Sequence, residues 1–317
     1  MLRAAFVTAL ALGAFGAAVP AAGVPLPPIA AGVTVGGVAV GGLTSEEAQT
    51  KISERYGTPV SFYHEDRSWK VSPSQLGADT AVHAAVAGAL RAGPSARLEV
   101  EVAIDRKAIR RYVARLDRKY REAPVNSELV GLRNLAPAFT EAQDGRRIDR
   151  GRLVGQIERA LAASFRSVKL PLPFVAVEPE LTADDYGPIV VIRRASNRLY
   201  LYDGPALAQS YGVATGSKKY PTPLGDWEIV TMQRNPWWIP PESEWAKEAK
   251  PIPPGPGNPL GTRWMGLDAT AVGIHGTPDA ASIGYSASHG CIRMRIPDAE
   301  ALFTRVEVGT PVYVVNA

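Results

Sequence analysis

A chain of 317 residues, 46% of them hydrophobic, is long enough to bury the cores of two domains. Its 35 Lys and Arg against 31 Asp and Glu leave a net charge of +4, and 12 basic and 11 acidic residues lie from Gly187 onward, so neither half has the basic excess that nucleic-acid binding demands. A single cysteine excludes an internal disulfide framework.

The chain opens with Met1-Leu2-Arg3 and an uncharged run of small and apolar residues from Ala4 to Val19. Val19-Pro20-Ala21 then offers a small-x-small cleavage pattern. A membrane span needs about 20 strongly apolar residues, and this run is shorter and alanine-rich. Residues 1–22 therefore read as an export signal, with an uncleaved N-terminal anchor as the alternative. No cysteine sits in the first 30 residues, which argues against a lipoprotein anchor.

After Gly/Val-rich sequence from Gly32 to Gly42, Thr44-Ser45-Glu46-Glu47 reads as a capping box, with Ala48, Ile52 and Tyr56 following at helical spacing. Residues 60–63 and 69–71 are strand-like around a polar turn at 64–68. A helix is expected over 79–91, with Val82, Val86 and Leu90 on one face, and Leu98, Val100, Val102 and Ile104 alternate as one half-buried strand. The order then recurs. A helix over 106–121 carries Ile109, Val113, Leu116 and Tyr120 on one side, and a hairpin turns at Asp144-Gly145 between Phe139 and Ile148. Leu153, Ile157 and Leu161 mark another helix, and 169–177 alternates like a strand. The recurrence suggests a duplicated, mixed α/β module of two αββαβ-like halves over 32–180. The 106–121 segment holds eight basic residues and one acid, Asp117; it is either a solvated helix face or a surface for a cell-wall polyanion. His64, in a polar turn, and His83, on a helix, are assigned no catalytic role.

A Pro- and acid-containing linker over 181–188 marks a boundary. Beyond it, short β runs at 189–192, 199–202, 211–214, 227–231, 264–267, 272–275 and 312–315, with one clear helix over 297–305, predict a mostly β domain over 187–317 and an α+β chain as a whole. A stretch rich in Pro, Gly and Trp interrupts these strands. Its Trp237, Trp238 and Trp245 either cover a bound peptide or rigidify a surface loop.

The chemistry-bearing stretch runs from His275-Gly276-Thr277 to Ser288-His289-Gly290-Cys291-Ile292-Arg293. A thiol attacks only as thiolate, and an imidazole or positive field beside it brings that within reach. His275 lies 16 residues before Cys291, so folding must bring it there, whereas His289 shares the Cys291 face if the segment is extended. Three readings fit: a buried structural cysteine, a zinc site of His275, His289 and Cys291, and a Cys-His nucleophilic enzyme. The H-x-C spacing is unusual for zinc, and an idle thiol in an oxidising compartment is a liability, which favours the nucleophile. In that reading the Gly276 carbonyl orients the His275 ring, amides near Gly290 and Cys291 face the oxyanion, and Arg293 either binds a substrate carboxylate or makes a structural ion pair.

Read as an ordered whole, these residues resemble the signature of the L,D-transpeptidase catalytic domain, the YkuD domain: a histidine, a spacer, then S/T-H-G-C, an aliphatic residue and Arg or Asn. Tyr220-Pro221-Thr222-Pro223-Leu224-Gly225 resembles the family's T-P-x-G turn. Asn235-Pro236-Trp237-Trp238-Ile239-Pro240 and the Pro/Gly run from Pro254 to Gly261 resemble the segment before its catalytic strands. Residues 32–179 resemble the peptidoglycan-binding domain found ahead of many such domains, through Gly41-Gly42-Leu43-Thr44 and Trp69-x-Val71-Ser72-Pro73. The resemblance implies a β-sandwich over 187–317 that is secreted or extracytoplasmic, associated with the cell wall, and acts on peptidoglycan stem peptides. Cys291 would form a thioester with a tetrapeptide stem, D-alanine would leave, and the acyl group would pass to the side-chain amine of a neighbouring stem's third residue, a 3→3 cross-link. Catalysis is expected of Cys291, His275, Gly276 and His289, and substrate contact of Arg293, Ser288, Gly290, Tyr220 and Trp238. No cofactor, metal or nucleic acid is expected. An L,D-carboxypeptidase using the same pair, a zinc peptidase and a non-catalytic wall-binding protein are the alternatives.

Overall fold

The structure is a computed structural model describing residues 27–163 and 167–317. The export-signal reading lies outside the described residues, among which no helix is long and apolar enough to cross a membrane. The chain divides into two compact units, one holding the described residues up to Lys119 with Ile148–Pro173, the other Tyr120–Arg147 with Phe174–Ala317.

In the first unit, α1 (Ser45–Tyr56) starts where the sequence puts it. Thr44 Oγ1 accepts from the Glu47 N–H at 3.3 Å, and Glu47 Oε2 accepts from the Thr44 N–H at 2.8 Å. Helix α2 (Val82–Arg91) starts three residues later than its apolar spacing suggests, because Ala78–Thr80 pairs antiparallel with Val102–Ile104. The single strand expected over 98–104 is therefore two: Arg97–Leu98 joins a different sheet, parallel to Thr34–Val35. Helix α3 (Arg106–Tyr120) buries Ile109, Val113 and Leu116, and its Tyr112 accepts from Trp69 Nε1 at 2.8 Å. Its one acid points inward. Asp117, 3% exposed, accepts from the Ile148 N–H and from Arg150 Nε, both at 2.9 Å, at the start of α4 (Arg150–Ala162).

In the second unit, Leu129–Arg133 and Ala136–Phe139 form a hairpin whose turn is Asn134-Leu135, both at positive φ. The hairpin expected at Asp144-Gly145 does not form. Gly145 sits instead where the backbones of Glu122 and Pro124 pass so closely that a Cβ would lie 2.5 Å from each, and Arg146 bridges to Glu122. The segment read as a linker is tied down: Asn126 Oδ1 accepts from the N–H groups of Glu180 and Leu181, and Tyr186 Oη donates to the Ser127 carbonyl at 2.8 Å.

The rest of this unit is built on β1 (Pro188–Arg193), β2 (Arg198–Asp203), β3 (Ala206–Gly216), β4 (Gly225–Arg234), β5 (Arg263–Leu267), β6 (Gly273–Thr277), β7 (Ser286–Ser288), β8 (Ile292–Arg295) and β9 (Pro311–Val315), with α5 (Ile296–Phe303). They form one nine-stranded sheet in the order β2-β1-β9-β4-β5-β6-β8-β3-β7, and β2 also pairs with β3, so the sheet curls round a single core. Val190, Leu201, Val213, Met265, Ile274, Ile292, Met294 and Val312 fill that core with Leu302 and Phe303 of α5. On the other side, Ile189, Val191, Tyr202 and Tyr313 pack against Leu129, Leu132, Ala136 and Phe139, which explains why the 129–139 hairpin belongs to this unit. Every strand expected beyond residue 187 is present; β7 and β8, which flank the cysteine, are too short to show a periodicity.

Candidate active site

Two registers assemble the site. β6 runs parallel to β8 with Ile274 opposite Ile292 and His275 opposite Arg293, and antiparallel to β5 with His275 opposite Trp264. Alternation sends Ile274 and Ile292 into the core and His275 and Arg293 to the opposite face. Cys291 immediately precedes β8 and falls on the His275 side, and the Gly273 N–H reaches its sulfur. The thiol also points at the Ala271 carbonyl, 3.6 Å away.

His275 is 4% exposed, with its ring 5.9 Å from that of Trp264. Its Nδ1 lies 2.6 Å from the Gly276 carbonyl. A carbonyl can only accept, so Nδ1 carries the proton and Nε2 keeps the lone pair. Burial lowers the pKa of the imidazole from 6.5 to about 4; the carbonyls of Gly276 and Pro259 pull it back up, and the Arg293 charge pushes it further down. Burial raises the Cys291 thiol above its ordinary value, against the lesser pull of the Gly273 N–H and of Arg293. At neutral pH the resting pair is thus neutral thiol and neutral imidazole.

The turn before β8 is closely tied. Ser288, 2% exposed, accepts from the Gly290 N–H at 3.1 Å and donates to the Cys291 carbonyl at 2.6 Å. Gly290 has φ +117°, so residues 289–291 are not extended and His289 does not share the Cys291 face. His289 instead is exposed, its ring stacked 4.1 Å from Trp245 and lying 4.9 Å from Tyr220, with Trp238 6.4 Å beyond Trp245. Partial burial, then the charges of Arg293 and Lys219, lower its pKa. Arg293 is 3.8 Å from Asp279, a long ion pair that leaves the guanidinium largely uncommitted. His275, His289 and Cys291 do not converge as a donor set, and among the described residues no group of three His, Cys, Asp or Glu side chains is arranged to hold a metal.

Three site residues were not evident from the sequence. Trp264 lies over Gly273 so closely that a Cβ there would come within 2.4 Å of the indole, and this packing walls in His275. Thr222, 0% exposed, donates to the Gly290 carbonyl. Asn258, also 0% exposed, donates through Nδ2 to the Pro236, Pro253 and Ile252 carbonyls at 2.8, 3.2 and 3.3 Å and accepts from the Leu260 N–H at 2.8 Å. It thereby closes the loop that carries Trp238 and Trp245. Of the three, only Thr222 lay in a stretch that the sequence marks, the 220–225 turn, and no neighbour in the chain sets Trp264 or Asn258 apart. Asn258→Ala strips these partners from one side chain and should cost about 3 kcal/mol. It should also open residues 235–261 to limited proteolysis; unchanged melting and cleavage would remove Asn258 as the loop's fastener.

Comparison with known proteins places these features. The model of the L,D-transpeptidase catalytic domain, YkuD, matches residues 187–314, and one described as "Putative peptidoglycan binding domain" matches residues 69–169. The "Putative L,D-transpeptidase YqjB" of Bacillus subtilis is 34% identical over 135 residues, covering 41% of this chain and 72% of the relative. A "Putative L,D-transpeptidase in ATP synthase subunits region ORF 5" from Fuscovulum blasticum is 44% identical over 96 residues, 30% of this chain and 51% of that one, so the chain spans only about half of this relative's length. The solution structure of the catalytic domain of the E. faecium L,D-transpeptidase is 24% identical, covers 40% of this chain and 96% of that domain, and has a TM-score of 0.33. With the YkuD match over its β unit and YqjB aligned across most of its length, the chain belongs to the L,D-transpeptidase family, carrying a peptidoglycan-binding domain ahead of its catalytic domain.

Proposed function

We propose that the chain is a cysteine-dependent acyltransferase that joins peptidoglycan stem peptides outside the cytoplasmic membrane. The observation that supports this most directly is the β6–β8 register, which sets a buried imidazole of fixed tautomer and the one cysteine on the same face of the sheet. His275 Nε2 takes the thiol proton as Cys291 Sγ attacks the carbonyl of the donor's terminal peptide bond. The C–N bond then breaks, His275 returns the proton to the departing D-alanine amine, and a thioester remains. An acceptor amine attacks that thioester, its proton passes to His275, and the C–S bond breaks to leave the 3→3 amide and the free thiol. Because both groups rest neutral, the proton moves during attack rather than before it. In this reading Arg293 holds a donor carboxylate, and Trp245, stacked on His289, and Trp238 beside it contact the bound peptide.

Mass spectrometry after incubation with a carbapenem, whose lactam carbonyl presents the same electrophile, tests the reading. Wild type should gain one adduct and Cys291→Ala none. A folded wild type that stays unmodified would overturn it. Supplying a tetrapeptide stem with and without an acceptor amine then separates cross-linking from release of free tripeptide.

A further inference from the structure

The Gly290–Cys291 peptide has two orientations open to it, since a glycine at φ +117° tolerates either and its Cβ position meets no atom within 4 Å. What chooses between them is the hydroxyl of Thr222. Its Oγ1 accepts from the Gly216 N–H at 2.8 Å and donates to the Gly290 carbonyl at 2.8 Å. Since a carbonyl only accepts and an amide only donates, the hydroxyl hydrogen has one position. The threonine is itself immobilised. It lies between Pro221 and Pro223, Arg194 Nη1 donates to its carbonyl at 2.8 Å, and it approaches Gly216 so closely that a Cβ there would lie 2.4 Å from the Thr222 nitrogen. The Ser217 N–H donates to the Ser288 carbonyl at 2.9 Å, fastening the same turn to the strand before the cysteine.

With the Gly290 carbonyl held inward by a fully buried group, planarity of the trans peptide turns the Cys291 N–H the other way, out of the interior. The Gly290 N–H is already taken by Ser288 Oγ. We infer that Thr222 is a positioning residue for acyl transfer: it aims the Cys291 N–H at the oxyanion that forms when Cys291 attacks a carbonyl. This rests on the proposed role of Cys291 and adds to it the group that sets the oxyanion donor. Thr222 touches neither substrate nor sulfur.

The test compares two reactions of one sulfur. Carbapenem acylation passes through a tetrahedral oxyanion, whereas iodoacetamide alkylation displaces iodide at a saturated carbon and builds none. Thr222→Val keeps the shape and removes both hydrogen bonds. Its acylation rate should fall roughly 10- to 100-fold, less than the roughly 10²- to 10³-fold that outright loss of an oxyanion donor costs, because the N–H is misaimed and not removed, while alkylation stays close to the wild-type rate. Thr222→Ser, which restores the hydroxyl, should return acylation to near wild type. If the valine chain does not fold, Thr222→Ala, which cannot clash, should give the same split between the two rates. Equal acylation by wild type and Thr222→Val, or a parallel loss of acylation and alkylation in the folded variants, would overturn the inference while leaving Cys291 as the nucleophile. A folded wild type that alkylates and never acylates would instead remove the reading of Cys291 on which it depends.

Discussion

His275→Gln should lower the rate of Cys291 acylation by about 10²- to 10⁴-fold, the range for losing a positioned general base, and at the same time make the fold more resistant to acid. The two effects have one source. The ring that is proposed to act as the base is buried, and burial holds its pKa at about 4 against 6.5 in an ordinary setting. Above about pH 6.5 the imidazole is neutral in folded and unfolded chains alike, and it contributes no pH dependence. As pH falls below 6.5 the unfolded chain takes up a proton and the folded chain does not, so stability declines; the loss is complete below about 4, where both states are protonated. The full difference is on the order of 3 kcal/mol by the conversion of pKa shift into free energy. Glutamine is uncharged at every pH and cannot titrate. Urea midpoints at pH 7.5 and pH 4 should therefore drop less in His275→Gln than in wild type. An identical drop would show that the imidazole is not held neutral by the fold, and with it would go the neutral resting pair.

Much of this site can be read from the sequence because its chemistry is local in the chain while its geometry is a matter of strand pairing. The one cysteine, the H-G pair and the S-H-G-C run are contiguous, so their residue types were visible. Their mutual placement needed the β6–β8 register, which no spacing encodes. His289 shows the limit. Extended backbone would put it beside Cys291, but Gly290 at positive φ turns the chain and delivers the ring to Trp245 instead. The catalytic unit's longer strands were legible because one face is buried and alternation survives. The chain ahead of residue 187 was harder. Asp144-Gly145 carries the composition of a tight turn, yet Gly145 serves a close backbone approach, and the turn falls at Asn134-Leu135, where leucine is a poor predictor of positive φ. Asp79 has the composition of a helix start, but the pairing of Ala78–Thr80 with Val102–Ile104 outranks it. The basic segment over 106–121 had a simple charge count. What the count hid is that its single acid is not on the charged face at all.

That acid supports the last prediction. The chain leaves the first unit after Lys119 and re-enters it at Ile148, so the ends of a 28-residue excursion, Tyr120–Arg147, must be held together there. Asp117, one helical turn before the exit, accepts from the backbone of Ile148 at the re-entry and from Arg150 just beyond it. Asp117→Ala leaves the Ile148 N–H without its acceptor in a buried setting and strands the Arg150 guanidinium, at a cost of about 3 kcal/mol. Arg150 is half-exposed, so water can recover much of its share, and the backbone bond should dominate. Asp117→Asn separates the two contributions, because its amide oxygen still accepts from Ile148 while the charge is gone; it should lose only about 1 kcal/mol. Chemical denaturation of the two variants measures the ordering. Equal losses would mean that the charge, rather than the backbone hydrogen bond, holds the excursion closed, and a loss within experimental error for alanine would mean that the closure needs neither.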